Sequence, residues 1–293
     1  MSFLANLFQD PPPTHVFELS EKGLAFADVT QPSLARFTPF EPGVLQVSPV
    51  QDNIQQPGVV QERIRGSVAP NGKRRVALIL PDYCVRVAVL DFDAFPDQHE
   101  DRLALLRFRM KKSVPFDTDS AVVSYSVQPQ KGEGAGSKKL EVLTAIVAAE
   151  IVARYEAPFR GLGFHPGFIT TSSLAALNLV AVDEITILAK LSGQILSLIV
   201  SQGSSIKLAR CIEMDSDSPE EIESILHPTV AYIEDELKAT PKRIWLCGFE
   251  GHAELAQRWQ SEWNVSVEAL KSRFGVPGAS NAGLLGYLES VAG

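Results

Sequence analysis

The side chains best suited to metal ligation or nucleophilic chemistry are five histidines (His15, His99, His165, His227, His252) and three cysteines (Cys84, Cys211, Cys247). Neither set is spaced for that work. Ligand pairs stand about two to five residues apart, whereas these histidines are scattered and two precede proline, which predicts surface or turn positions. The cysteines lie far apart, in or beside apolar runs, without a Cys-x-x-Cys. An odd, scattered count predicts buried free thiols in a reducing compartment, not a disulfide frame or a zinc site. No Gly-x-Ser-x-Gly elbow offers an activated serine. Gly132-Glu-Gly-Ala-Gly-Ser-Lys-Lys139 has the composition of a phosphate loop. A working phosphate loop leaves a strand and opens a helix; this one runs into a strand-like stretch and reads as a hairpin tip. Trp245, Trp259 and Trp263 are expected in packing, and Glu220, Glu221, Glu223, Glu234, Asp235 and Glu236 on a solvated helix face.

Composition narrows the class further. The chain has 293 residues, 45% apolar and 21% charged, which is ordinary globular material with a prior of two domains or one large one. Twenty-seven basic residues against 35 acidic ones give a net charge of −8, the wrong sign for a protein that neutralises phosphate backbones. No apolar run approaches the roughly 18 to 20 residues of a membrane span. The N-terminal stretch Met1-Ser-Phe-Leu-Ala-Asn-Leu-Phe8 lacks a basic region and a cleavage site, so a secretory signal is not expected. Phe3, Leu4, Leu7 and Phe8 would share a helical face; both a frayed tail and a short docking helix fit, ahead of the stiff Pro11-Pro12-Pro13.

The elements that position any site follow from periodicity and turn chemistry. Short strands are predicted over 15–19 and 23–29 around a hairpin turn, and over 75–80 and 85–90 around Pro81-Asp82-Tyr83. A short strand or amphipathic turn is expected near 59–68. A helix is predicted over 97–112, with Leu103, Leu106, Phe108 and Met110 supplying its apolar side. Strands at 121–127 and 139–147, a helix at 149–162, a strand at 167–170 and a helix at 172–180 come next. The grammar then restarts: strands at 184–190, 194–200 and 204–212, a helix at 218–238, a strand at 242–247, a helix at 253–263, a strand at 265–269 and a closing helix at 280–291. Two units thus repeat one plan of strand, tight turn, further strands and helix, the internal duplication of an actin-like α/β nucleotide-binding fold.

At this point the residues resemble a family. Val76-Ala-Leu-Ile-Leu-Pro-Asp-Tyr-Cys-Val-Arg-Val-Ala-Val-Leu90 is similar to the strand, proline-led turn and strand of the PilM family of type IV pilus assembly proteins, which is related to FtsA and to the cytoplasmic part of GspL. Met110-Lys-Lys-Ser-Val-Pro-Phe116, Tyr125-Ser-Val127, Val142-Leu-Thr-Ala-Ile-Val147, Gly161-Leu-Gly163, Ser173-Leu-Ala-Ala176 and Ile244-Trp-Leu-Cys-Gly248 continue in family order over about residues 15 to 291. The resemblance implies an actin-like (ribonuclease H-like) pair of lobes. Residues 1–14 would be a tail, 15–91 with 149–182 and 275–293 the first lobe, 92–148 an inserted subdomain, and 183–274 the second lobe.

The resemblance also implies where a nucleotide would sit, and the sequence departs from it there. The first phosphate hairpin of such ATPases carries Asp-x-Gly; the matching residues are Glu18-Leu19-Ser20, followed by Gly23. The second hairpin reads Lys190-Leu191-Ser192-Gly193, a lysine for the carboxylate, with Lys190 expected at a solvent-facing strand end. The turn on the adenine side keeps Gly248 and Gly251 but places Phe249 and Glu250 between them. A carboxylate arranges Mg²⁺ and its waters and a lysine does not, so the expectation is a non-catalytic protein without a cofactor; the alternative is a switch that binds ATP with Mg²⁺ and hydrolyses it weakly. A sugar or acetate kinase lacks an identifiable catalytic carboxylate here. The family's partner groove implies a docking role for Pro115, Phe116, Val122, Val123 and Tyr125, which would hold the extended cytoplasmic tail of a PilN-like inner-membrane protein. These residues would equally fill the insert's own core. The implied setting is cytoplasmic, peripheral to the inner membrane of a type IV pilus or type II secretion platform, with other platform proteins and self-association as further contacts.

Overall fold

A computed structural model of the chain describes residues 12–68, 74–129, 139–181 and 184–291. The tail at 1–8 and the glycine-rich tip at 132–138 lie outside these residues.

Two five-stranded sheets share one topology. In the first, β1 (His15–Ser20) pairs antiparallel with β2 (Gly23–Asp28), which pairs with the edge strand β3 (Arg36–Pro39). On its other side β1 runs parallel to β4 (Arg74–Leu80), and β4 parallel to β8 (Phe164–Thr171). The second sheet repeats this with β9 (Ile185–Ser192), β10 (Ile195–Gln202), β11 (Ser205–Glu213), β12 (Arg243–Cys247) and β13 (Ser266–Ala269), in the order β11-β10-β9-β12-β13. Helices fall at matching places: α1 (Pro57–Ser67) before β4 and α5 (Pro219–Glu236) before β12, then α3 (Ala149–Arg160) before β8 and α6 (Ala253–Trp263) before β13. After the sheets come α4 (Ser172–Ala176) and α7 (Ala282–Val291). This is the duplication read from the sequence, and the mixed α/β architecture is actin-like.

Both central strands are buried on both faces. Phe17 and Leu19 of β1 join Val76, Leu78 and Leu80 of β4 in a core under α1 and α3, while Val16, Ala77 and Ile79 pack against α7 on the other face. In the second sheet Ile187, Ala189 and Leu191 pack with α5 and α6 around Trp259, which is fully buried. The opposite face, with Leu188, Ile199, Trp245 and Cys247, meets Ala176 and Ala282 of the first lobe. The apolar contact between the lobes is therefore itself a core.

Between β4 and α3 the chain builds a third sheet, β5 (Arg86–Phe92), β7 (Leu140–Val147) and β6 (Val122–Val127), antiparallel in the order β5-β7-β6, with α2 (His99–Met110) against it. Its first strand lies inside the stretch assigned above to the first lobe. A turn of 3₁₀ helix at Asp82–Cys84 swings the chain off the main sheet, so β4 and β5 never pair.

Several local expectations need correction. Residues 57–67 form a helix, not a strand or turn: Pro57 opens it and Val60 and Ile64, four apart, are its buried stripe. Phe108 is 74% exposed, because the face of α2 that packs carries Leu106 and Met110 and residue 108 lies well round the helix from both. His15 is buried and bonded to Thr14 and Arg74, unlike the surface histidines expected. Glu223 pairs with Arg258 and Trp259 and is largely covered, so it leaves the solvated face, whereas Glu221 stays in contact with solvent while accepting the backbone N–H groups of Asp215 and Ser216. All three cysteines are free; Cys84 and Cys247 are buried and Cys211 is half-buried.

Candidate functional site

The duplication makes Glu18 and Lys190 equivalent. Each stands two residues before the end of the first strand of its sheet, β1 at Ser20 and β9 at Ser192, and each strand then turns through two residues into its partner. Strand alternation puts Glu18 on the face of Val16 and Lys190 on the face of Leu188, the sides turned towards the cleft between the lobes. The fold thus brings together two side chains that lie 172 residues apart in sequence.

Lys190 does not face solvent. It is 3% exposed, and its Nζ donates to Oδ2 of Asp82, 3.1 Å away. Asp82 comes from the 3₁₀ turn after β4, so this ion pair crosses from one lobe to the other. The same carboxylate accepts the backbone N–H and hydroxyl of Ser173, both at 2.7 Å, and the hydroxyl of Ser197 at 3.2 Å. Burial alone would push the Asp82 carboxyl up; the Lys190 ammonium and the Ser173 hydrogen bonds outweigh it and hold the group below the usual range. Burial likewise works against the Lys190 ammonium, and the Asp82 and Glu18 carboxylates overcome it and raise its pKa. Such a pair stays charged at any physiological pH.

Glu18 is 1% exposed and fixed from within its own lobe. Its two oxygens accept the hydroxyl of Ser172 and, at 2.7 Å, the N–H of Leu284 in the first turn of α7, where the helix dipole favours a negative group. Burial nonetheless raises its pKa to about 6, against the pull of Lys190 and these two hydrogen bonds. Ser20 and Ser192 join Glu18, Lys190 and Asp82 around a cavity of only about 30 Å³, which is water-sized. The glycines sit elsewhere. A Cβ on Gly23 would meet the carbonyl of Thr38 at 2.4 Å, so Gly23 serves the packing of β2 on β3. Gly193 occupies the hairpin turn at φ +60°. Gly248, at φ +80°, crosses β9 so closely that a Cβ would lie 2.0 Å from the carbonyl of Leu191, while a Cβ on Gly251 would meet nothing within 4 Å. Among the described residues no group of three or more His, Cys, Asp or Glu is placed to hold a metal ion.

A larger cavity, about 220 Å³, opens beside this network. Asp82, Ser173 and Ser197 form part of its wall, Ile199, Ala209 and Cys211 another, and Pro115 and Phe116 of the insert a third. Val122, Val123 and Tyr125 do not line it. Val123 and Tyr125 pack within the insert, Tyr125 against Phe95 and His99, while Val122 is 45% exposed on the edge strand β6. The insert is tied to the second lobe by the Gln128 amide, which exchanges two 2.7 Å hydrogen bonds with the backbone of Ile206, and by the Lys207–Glu141 ion pair.

Sequence reasoning missed Asp82, Ser172, Ser173 and Ser197. The one signal for Asp82 was a carboxylate in a proline-led turn, which looks like turn chemistry alone.

No family model matches the sequence, and no curated protein matches it. Solved structures do. A chain of a PilM–PilN type IV pilus biogenesis complex superposes with a TM-score of 0.71 at 16% identity, over 97% of this chain and 100% of that one. A protein of unknown function with an actin-like ATPase fold, from Bacteroides thetaiotaomicron, gives 0.55 at 12% identity, over 97% and 98%. The cytoplasmic domain of EpsL, an inner membrane component of the type II secretion system of Vibrio cholerae, gives 0.46 at 10% identity, over 79% and 80%. The chain has the actin-like fold.

Proposed function

We propose that this chain is a docking scaffold of a type IV pilus or type II secretion platform, and that it works without hydrolysing, or holding, a nucleotide. The observation that carries the reading is the Lys190–Asp82 pair. In a fold that would seat a metal-bound triphosphate between its lobes, an ammonium stands at one of the two equivalent hairpin positions and a cavity of about 30 Å³ adjoins it. That donor set suits a divalent cation poorly, because one of its members is itself a cation.

The reading assigns function to the 220 Å³ cavity between insert and lobes, mostly apolar and lined also by hydroxyls, the Asp82 carboxylate and the side chains of Arg86 and Arg210. Such a site suits an extended segment that leaves an apolar side chain in it. The superposition on a chain of a PilM–PilN complex supports the tail of a PilN-like membrane protein as that segment. The chain would then reach the cytoplasmic face of the inner membrane through its partner; among the described residues no helix is long and apolar enough to cross a membrane.

Titration calorimetry with Mg-ATP tests the first half: no heat is expected up to millimolar nucleotide, and micromolar binding refutes it in favour of a nucleotide switch. Capture by an immobilised tail peptide from a bitopic membrane protein encoded beside this chain tests the second. Phe116→Ser should weaken capture at least tenfold, and unchanged capture removes the cavity from the reading.

A further inference from the structure

We infer that Lys190 is a built-in occupant of the interlobe cleft: its ammonium closes the lobes onto one another without any ligand and thereby positions the floor of the docking cavity. Only the meaning of that floor rests on the function proposed above; the closure itself does not.

Glu18 and Lys190 occupy the same place in two copies of one hairpin, so two carboxylates there would repel across the cleft unless a bound cation lay between them. A lysine at one copy supplies that cation covalently. Its Nζ bonds the Asp82 carboxylate of the other lobe, and no exchange with solvent can remove it. The carboxylate is in turn shared by Ser173 of the first lobe and Ser197 of the second. Asp82, Ser173 and Ser197 are also wall residues of the 220 Å³ cavity, whereas Lys190 is not. Lys190 therefore acts on that cavity through Asp82, as a positioning residue. The apolar interface around Leu188, Ile199 and Trp245 attracts the lobes without direction; a buried ion pair adds a single allowed register.

Cysteine chemistry reads the closure directly. Cys247 is 2% exposed on the interlobe face, opposite Lys190 in the adjacent strand, while Cys84 lies in the core of the first lobe. Labelling of the native chain with a thiol-specific aromatic disulfide should be slow at both. In Lys190→Met, Cys247 should label at least tenfold faster while Cys84 stays slow, which separates opening of the cleft from unfolding. Should that variant not fold, because Asp82 is left charged and unpaired, the double variant Lys190→Met with Asp82→Asn removes both charges, and Cys247 should again outpace Cys84. Labelling of Cys247 at the wild-type rate in whichever variant folds overturns the inference. So does slowing of Cys247 labelling in the unaltered protein by 5 mM Mg-ATP, since closure would then depend on a ligand. A chain that binds Mg-ATP with no change in labelling would refute the proposed function and leave the closure standing.

Discussion

Glu18→Gln should make the protein more stable at neutral pH and leave it unchanged in mild acid. Native Glu18 keeps its proton up to about pH 6, while an ordinary glutamate releases it near 4.5. Over that window the folded state binds more protons than the unfolded one, so folding stability falls as pH rises through it and levels off above. The gap between 4.5 and about 6, at about 1.4 kcal/mol per pH unit, is worth about 2 kcal/mol. Glutamine keeps the shape and both contacts: its oxygen accepts the Leu284 N–H and its amide donates to the Ser172 hydroxyl. Asp82 and Lys190 hold their charges throughout, since their pKa values are displaced away from the window on either side. Urea unfolding at pH 4, 5, 6 and 7 should show the variant gaining about 2 kcal/mol on the wild type between the ends of the series. Taking the difference cancels the acid loss contributed by carboxylates such as Asp28 and Glu289, whose pKa values are lowered. A flat difference would mean that Glu18 is not held in a dry site, and the account of the cleft would fail with it.

Other substitutions probe the frame. Gly248→Ala should cost more than about 2 kcal/mol, from the φ of +80° and the 2.0 Å approach of a Cβ to the Leu191 carbonyl; Gly251→Ala, with open space, should stay within about 0.5 kcal/mol, and thermal melts of the two compare them. Trp259→Ala should destabilise by about 3 to 5 kcal/mol in denaturant unfolding, since the ring is fully buried between Phe249 and Trp263 in the second core.

Strands were legible where both neighbours along the chain agreed. Runs such as Ile185–Ser192 and Ile195–Gln202 are predominantly apolar stretches rich in β-branched residues and leucine, punctuated by a glycine turn, and their pattern needs no partner to be recognised. The helix Pro57–Ser67 was not, because Gln, Glu and Arg interrupt it and only Val60 and Ile64 are fully buried. Phe108 misled for a related reason: an aromatic in an amphipathic stretch is taken for core until the packing face is known.

By itself the sequence determined the duplicated plan and its tight hairpins, since each strand and each turn is written in the residue types of a dozen positions. It did not determine which way Lys190 would point. Its partner lies 108 residues away in a turn, and that turn is held by Ser173, a further 91 residues along from Asp82. A lysine at a strand end is solvated unless another lobe brings a carboxylate and excludes water. Only tertiary structure supplies both, because the cost of burying a charge and the attraction that offsets it are set by neighbours in space.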